Sequence, residues 1–171
     1  MKRMLISKGV LAFMLVLALI FVGCDEDEPD VWSSVTSLSQ LNGRWIGSYS
    51  ETMSVAELSN QGFGSLNANV TVTVSEDMTI NASAQTFSNT GSQTNRFDGS
   101  DGQTAYNLFK LQHVYDPDIT TNDSNRSVTM TMTVSNQAIP GTFLTGFEIN
   151  QNGSKIRRQV RSEAFMVYNK G

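Results

Sequence analysis

Residues 128–134 read VTMTMTV and alternate strictly between apolar side chains and threonines. Residues 70–74 read VTVTV and repeat the pattern. Successive side chains of an extended strand point to opposite faces, so each stretch has one apolar face and one hydroxyl-bearing face. A period of two therefore predicts half-buried strands of an antiparallel sheet that has one face toward the core and one toward water.

The same period appears along most of the chain. Residues 45–49 predict the first strand, and residues 78–84 predict a hairpin partner for residues 70–74, with residues 75–77 as the turn. Asn152 and Gly153 form the strongest short hairpin signal, because both tolerate the positive φ of a type I′ turn. The remaining strand predictions are residues 109–115, 143–149, 156–160 and 164–168.

These eight predicted strands, mostly joined in sequence order and with no long helix, indicate an all-β fold. We expect an eight-stranded antiparallel up-and-down barrel, because closure removes exposed sheet edges, with a β-sandwich as the alternative. Residues 31–41 predict one short helical turn that ends at Asn42-Gly43. The segments 50–67, 88–103 and 116–126 are polar and rich in Gly, Asn and Asp, and they predict loops.

The first residues of the chain predict export. Lys2, Arg3 and Lys8 precede an apolar stretch at residues 10–22, and Gly23-Cys24 follows it. Thirteen residues of helix span about 20 Å, which is short for a hydrocarbon core of about 30 Å, so a signal peptide is expected rather than an anchor helix. Together with Cys24, the only cysteine, the segment resembles a bacterial lipoprotein signal. That resemblance implies cleavage after residue 23 and a diacylated thiol on Cys24, with fatty chains such as palmitate.

An acidic run follows the cysteine. Residues 25–30 read DEDEPD, and five carboxylates in six residues repel one another and bury no apolar surface. We therefore assign residues 24–40 to a flexible tether and residues 41–171 to one folded domain. An Asp after the lipidated cysteine resembles an inner-membrane retention signal, whereas a longer acidic stretch resembles a surface-export signal. The length of this run favours the outer membrane or cell surface over the periplasmic face of the inner membrane.

The charge balance excludes one class of partner. Without residues 1–23, nine basic and sixteen acidic residues remain, a net charge of −7. Nucleic-acid binding needs clustered Lys and Arg, so no nucleic-acid partner is expected. Contact with the membrane is expected through the lipid on Cys24, because an acidic chain is repelled by anionic headgroups.

Residues 41–45, LNGRW, resemble the Gly-x-Trp opening of lipocalin-like proteins. In that family the Trp closes one end of an eight-stranded barrel, often beneath a stacked Arg, and the open end receives a small hydrophobic ligand. The resemblance implies a barrel-end plug of Gly43 and Trp45, with Arg158 and Arg161, or Arg157, as the stacking cations. An indole under a guanidinium gains a cation–π contact of about 1 kcal/mol.

The apolar positions of the predicted strands suggest which side chains line a ligand cavity. The expected lining is Phe109, Leu111, His113, Met130, Met132 and Phe147. His113 is the only histidine and no Gly-x-Ser-x-Gly elbow is present, so neither an enzyme nor a cofactor is expected. No metal site is expected either, because residues 116–127 lack the Gly and Glu of a calcium-binding EF-hand loop.

These observations together predict a membrane-anchored lipoprotein whose lipocalin-like barrel binds a small hydrophobic ligand. The alternative is a surface-exposed interaction or structural lipoprotein whose loops bind a protein or another envelope partner. Protein partners are not identified by the sequence.

Overall fold

The computed structural model describes residues 29–57 and 65–171. The chain divides into two compact units, Met1–Val31 and Trp32–Gly171. In the first unit the described residues, 29–31, belong to no helix or strand. The predicted signal peptide and Cys24 lie outside the described residues.

The described part of the second unit has nine strands, one α-helix and several short 3-10 helices. The strands are β1 (Trp32–Ser34), β2 (Gly43–Ser54), β3 (Asn69–Asn81), β4 (Thr86–Asp98), β5 (Ile119–Asn122), β6 (Ser127–Ala138), β7 (Glu148–Asn150), β8 (Lys155–Arg161) and β9 (Ala164–Lys170). Helix α1 is Gly102–Gln112, and the 3-10 helices include Leu38–Leu41 and Phe143–Gly146. The prediction of an all-β fold is confirmed.

The strands form one antiparallel sheet in the order β1-β7-β8-β9-β2-β3-β4-β6-β5. Apart from β1 and β5 they follow a meander, so a ring would have to close between β6 and β7. In the described part of the chain these two strands do not pair with each other, because β5 pairs with β6 and β1 pairs with β7. The sheet is therefore open, and the predicted eight-stranded closed barrel is not confirmed.

The connection between β6 and β7 explains why the sheet stays open. The sequence predicted a strand over residues 143–149, but Phe143–Gly146 is a 3-10 helix and only Glu148–Asn150 is strand. The Phe143 ring lies 5.3 Å from the rings of both Phe87 and Phe147. This connection is thus anchored by aromatic packing, and it does not turn back as a hairpin beside β6.

The register of β3 defines the two faces of the sheet. Its even-numbered residues form what we call the inner face, and its odd-numbered residues form the outer face. The inner residues are Val70, Val72, Val74, Glu76, Met78 and Ile80. The outer face is rich in hydroxyl groups, as in the row Ser50, Thr73, Thr94, Thr129 and Thr120, one residue from each of five neighbouring strands.

The predicted turn at residues 75–77 is wrong. β3 runs without a break from Asn69 to Asn81, and Ser75 pairs with Ser48 on one side and Ser92 on the other. The chain reverses after Asn81 instead, where Asn81 Oδ1 accepts a hydrogen bond from the Ala84 amide and Gln85 has φ 55°. Polar residues within β3 are tolerated because cross-strand partners satisfy them.

Helix α1 replaces the strand that was predicted over residues 109–115. Ala105, Tyr106 and Phe109 are buried, which is the spacing of one helix face. Leu111 is 68% exposed, so Phe109 and Leu111 do not share one buried face as their alternation predicted. The predicted loop at residues 88–103 is likewise mostly β4, whose inner side carries Asn and Gln and therefore lacks an apolar alternation.

The other loop predictions are wrong in part. β2 extends to Ser54, into the predicted loop at 50–67, and β5 lies within the predicted loop at 116–126. The second compact unit includes Trp32 to Gln40, which the sequence assigned to the tether, and Val35 is buried in its core. The short helical turn before Gly43 is confirmed, and Gly43 has φ 122°.

Two hydrophobic cores lie toward opposite ends of the long strands on the inner face. The first core contains Val35, Leu41, Trp45, Met78, Ile80, Phe147, Ile149, Ile156, Met166 and Tyr168. The second core lies under α1 and contains Val55, Ala68, Val70, Phe97, Ala105, Tyr106, Phe109 and Val128. Between them β3 contributes Val72, Val74 and Glu76, which are only half-buried. The middle of the inner face is therefore left partly open.

The inner face is concave. Arg158 of β8 donates from Nη2 to Glu76 Oε1 of β3 at 2.6 Å, although β9 and β2 lie between these strands. Neighbouring strands are about 4.8 Å apart, so a flat sheet would separate β8 from β3 by about 14 Å. The two side chains meet because the sheet curls toward its inner face.

Candidate functional site: a groove on the inner face

A groove of about 360 Å³ lies between the two cores, at the C-terminal end of α1. We call it the helix-side groove; it is lined by Met53, Val72, Gln93, Asn95, Phe109, Gln112, His113 and Met130. Its strand residues come from β2, β3, β4 and β6, and its other residues come from α1 and the residue after it. Its volume lies at the lower end of the range for small-molecule sites, and an apolar lining with a few polar groups is typical of them.

A second, smaller groove of about 270 Å³ lies beside the first, toward the β6 edge. This edge groove is lined by Val74, Glu76, Gly91, Ser92, Gln93, Met130, Thr131 and Met132. The two grooves share Gln93 and Met130. Methionine adapts its shape to different apolar surfaces, so Met130 and Met132 suit a surface that binds a flexible ligand.

Glu76 forms the polar wall of the edge groove. Its side chain is 13% exposed, and it accepts hydrogen bonds of 2.6 Å from Arg158 Nη2 and from Tyr168 Oη. Burial raises the pKa of the Tyr168 phenol well above its ordinary value, and the bond to Glu76 raises it further. Tyr168 is therefore a fixed hydrogen-bond donor, and the negative charge of Glu76 is balanced by Arg158.

A similar arrangement lies on the β2 strand. Glu51 accepts hydrogen bonds from Tyr49 Oη and from Arg161 Nη1. The bond from Tyr49 lowers the pKa of Glu51, and the bond from Arg161 lowers it further, whereas the bond to Glu51 raises the pKa of Tyr49. Both inner-face glutamates thus accept hydrogen bonds from an arginine of β8 and from a tyrosine.

Trp45 lies fully buried in the first core, toward one end of the inner face. Its Nε1 donates to the Leu41 carbonyl at 2.7 Å, and the cation over its ring among the described residues is Lys170, at 5.4 Å. Gly43 opens the same strand, and Gly171, the last residue, donates its amide to the Arg44 carbonyl. The indole therefore fills one end of the curved sheet.

The predicted stacking of arginines on Trp45 is wrong. Arg158 lies over the Tyr168 ring at 5.9 Å, and Arg161 pairs with Glu51. Arg157 points to the outer face, where it pairs with Glu148 and lies 4.1 Å from the Phe165 ring centre. β9, not β8, pairs directly with the Trp45 segment, so the cation nearest the indole comes from β9.

The structure brings together four of the six predicted cavity residues. Phe109, His113 and Met130 line the helix-side groove, and Met132 lines the edge groove. Leu111 is exposed on the outside of α1, because a helix turns alternate residues away from each other. Phe147 is buried in the first core, where it packs against Phe143 and Tyr168.

The sequence reasoning missed the polar residues of the site. Glu76 occupies an inward position of β3, among apolar residues. The sequence could have indicated this position if residues 69–81 had been interpreted as one continuous strand. Gln93 and Asn95 gave no signal, because β4 has no apolar period. The pairing of Arg158 and Arg161 with glutamates follows from the curvature of the sheet, which the sequence does not display.

Several other features bear on the chemistry of the site. His113 packs against Phe109 with ring centres 4.6 Å apart. Across the described residues, no cluster of three or more His, Cys, Asp or Glu side chains could hold a metal ion.

Within the described part of the chain, no helix is long and apolar enough to cross a membrane.

Comparison with protein-family models, with curated proteins and with solved structures finds no match to this chain.

Proposed function

We propose that this protein is a lipid-anchored binding protein of the cell envelope that holds a small, largely apolar molecule on the concave inner face of its sheet. The observation that carries the proposal is the helix-side groove, in which the half-buried Met53, Val72 and Met130 present apolar surface beside the buried Phe109 of the second core. Apolar side chains left half-exposed in a concavity gain free energy by contact with an apolar ligand, at about 25 cal/mol per Å² buried.

The relation to lipocalin-like proteins remains part of this proposal. The Gly-x-Trp opening supports it, since Trp45 fills one end of the curved sheet as the plug of that family does. Because the sheet is open between β6 and β7, the proposed likeness extends only to a curved meander with a ligand site on its inner face. The grooves would then serve as the counterpart of the barrel cavity.

Ligand binding is tested with residues 25–171, purified without detergent. Solvent extraction and mass spectrometry are expected to find a stoichiometric apolar compound, and N-phenyl-1-naphthylamine is expected to fluoresce on binding. Met130→Glu should abolish binding, because it places a charge in both grooves. Thr133→Glu is the matched control, since this exposed β6 residue lies on the outer face. A folded protein that binds no apolar probe would refute the proposal.

The lipid anchor on Cys24 is the second part of the proposal and is tested separately. In bacterial cells fed a labelled palmitate analogue, the wild-type chain should become labelled and partition into the membrane fraction. Cys24→Ala should remove the label and release the protein from the membrane fraction, because a lipoprotein signal needs the thiol. A palmitate label that survives in Cys24→Ala would contradict the proposed attachment site.

A second candidate function, binding of a protein partner, is favoured by one observation. Leu111, Val114 and Tyr115, at and just beyond the C-terminal end of α1, are 68%, 60% and 97% exposed. Exposed apolar residues in a cluster mark interaction surfaces. A photo-reactive phenylalanine at position 115, irradiated in intact cells, should then cross-link one dominant envelope protein. The same residue at position 133 on the outer face serves as the control.

A further inference from the structure

Asn95 is a buried polar side chain in the wall of the helix-side groove. It lies on the inner face of β4 and is only 3% exposed. Its Oδ1 accepts a hydrogen bond of 3.1 Å from Gln93 Nε2. Its Nδ2 has no hydrogen-bond partner among the described residues. Buried amide donors are nearly always satisfied, so an unpartnered one beside a groove indicates a partner that binds there.

The surroundings of Asn95 restrict the chemistry of that partner. Met53, Val72, Phe109 and Met130 make the nearby surface apolar. The carboxylates of the inner face are already balanced, Glu76 by Arg158 and Glu51 by Arg161. A charged ligand would have to be desolvated against this apolar surface without a counter-ion of its own, which is costly. The groove therefore fits an uncharged molecule.

Resting on the proposed function, we propose that the ligand is an uncharged amphiphile and that Asn95 determines its specificity. The hydrocarbon part lies on Met53, Val72, Phe109 and Met130, and a hydroxyl, ether or carbonyl oxygen accepts a hydrogen bond from Asn95 Nδ2. Gln93 moves aside to admit this oxygen. Its side chain is flexible, half-buried and shared by both grooves, and it bonds to the other end of the Asn95 amide.

The test uses the full chain in isolated cell membranes and three photo-reactive probes. The probes carry a diazirine on one long alkyl chain and end in a methyl group, a hydroxyl group or a methyl ether. After irradiation, labelling of the peptides that contain Met53 or Met130 is quantified by mass spectrometry. The alcohol and the ether should each label these peptides about three- to tenfold more than the alkane, as expected for one hydrogen bond.

Two variants on the same strand separate specificity from stability. Asn95→Leu should bring the three probes to equal labelling, because the donor is gone. Asn89→Leu is the matched control and should keep the preference. Asn89 lies on the same face of β4 and also has a buried atom without a partner, Oδ1, but it lines neither groove. If Asn95→Leu fails to fold, equal labelling of the wild-type chain by the three probes would still overturn the role of Asn95.

Each result has one meaning. Absence of groove labelling by all three probes would refute the proposed function itself. Equal labelling by all three would leave the proposed function standing and overturn the role of Asn95. Labelling by the alcohol but not the ether would mean that the ligand donates its hydrogen, which also overturns it. A preference that survives in Asn95→Leu would show that another group recognises the oxygen of the probe, which also overturns the role of Asn95.

Discussion

Glu76 lies between two glycines in the sheet, Gly47 of β2 on one side and Gly91 of β4 on the other. The two glycines do different things. A Cβ on Gly47 would lie 2.4 Å from Tyr168 Cδ1, so the ring packs directly on this backbone. A Cβ on Gly91 would meet nothing closer than 3.7 Å. Gly47 thus allows Tyr168 to reach Glu76, whereas Gly91 leaves open the floor of the edge groove.

The first prediction follows from this difference between the glycines. Gly47→Ala should lower the free energy of unfolding by about 1 to 3 kcal/mol, because the buried Tyr168 ring has to move. Gly91→Ala should change it by less than about 0.5 kcal/mol, as for an ordinary surface substitution. Urea unfolding followed by fluorescence measures both. Equal stabilities of the two variants would contradict the close packing of Tyr168 on Gly47.

At the scale of secondary-structure elements, α1 is the element that the sequence pattern misrepresents. Phe109, Leu111 and His113 alternate as in a strand, yet they lie on a helix and just after it. The same helix buries Ala105, Tyr106 and Phe109 over the second core, and it positions His113 at the groove. Tyr106 Oη and Lys110 Nζ both donate to Asp123, which ties α1 to the turn before β6.

The second prediction distinguishes a helix from a strand at these positions. Phe109→Ala should cost about 3 to 5 kcal/mol of stability, because it removes a buried ring in contact with Phe97 and His113. Leu111→Ser should be nearly neutral, because Leu111 is mostly exposed. Thermal unfolding of the two variants measures this contrast. Similar losses for both would favour a strand, in which residues 109 and 111 share one face.

At the scale of the whole molecule, hydrogen-bonded carboxyl groups are spread over the second unit. In four cases a side-chain hydrogen bond is the main cause of a lowered carboxyl pKa. These pairs are Glu51 with Tyr49 and then Arg161, Asp77 with Arg44, Asp98 with Arg96 and then Arg126, and Asp123 with Lys110 and then Tyr106. A carboxyl group whose pKa is lower in the folded state stabilises that state while it is ionised.

The third prediction is the acid dependence of stability. Because these pKa values are lowered, their contribution is present above the unfolded-state values of about 4 and is lost as pH falls through the folded-state values. Stability should therefore be nearly constant from about pH 7 to 5 and should decline below about pH 4. Urea unfolding at a series of pH values measures this curve. Replacing all four carboxyl groups by amides should flatten its acid limb, and an unchanged limb would contradict their role.

The sequence by itself determined the strand-rich character, the alternation within β3 and β6, the chain reversal at Gly153 and the short turn before Gly43, although it broke β3 at a turn that is not there and expected positive φ at Asn152 as well. Each of these depends on neighbours in the chain, since an alternation of two or a residue that accepts positive φ acts locally. The same local patterns predicted that Phe109, His113, Met130 and Met132 line a ligand cavity. They could not tell that Phe109 belongs to a helix, because a short apolar pattern fits both periods.

Only the tertiary structure decided the open sheet, the two separate cores and the groove between them. These depend on contacts between residues far apart in the chain, such as Arg158 with Glu76 and Arg161 with Glu51. Such contacts exist only once β9 pairs with β2 and the sheet curls, and no local period records that pairing. The polar lining by Gln93 and Asn95 was also decided there, because cross-strand pairing with β3 and β6 holds the polar middle of β4 in the sheet.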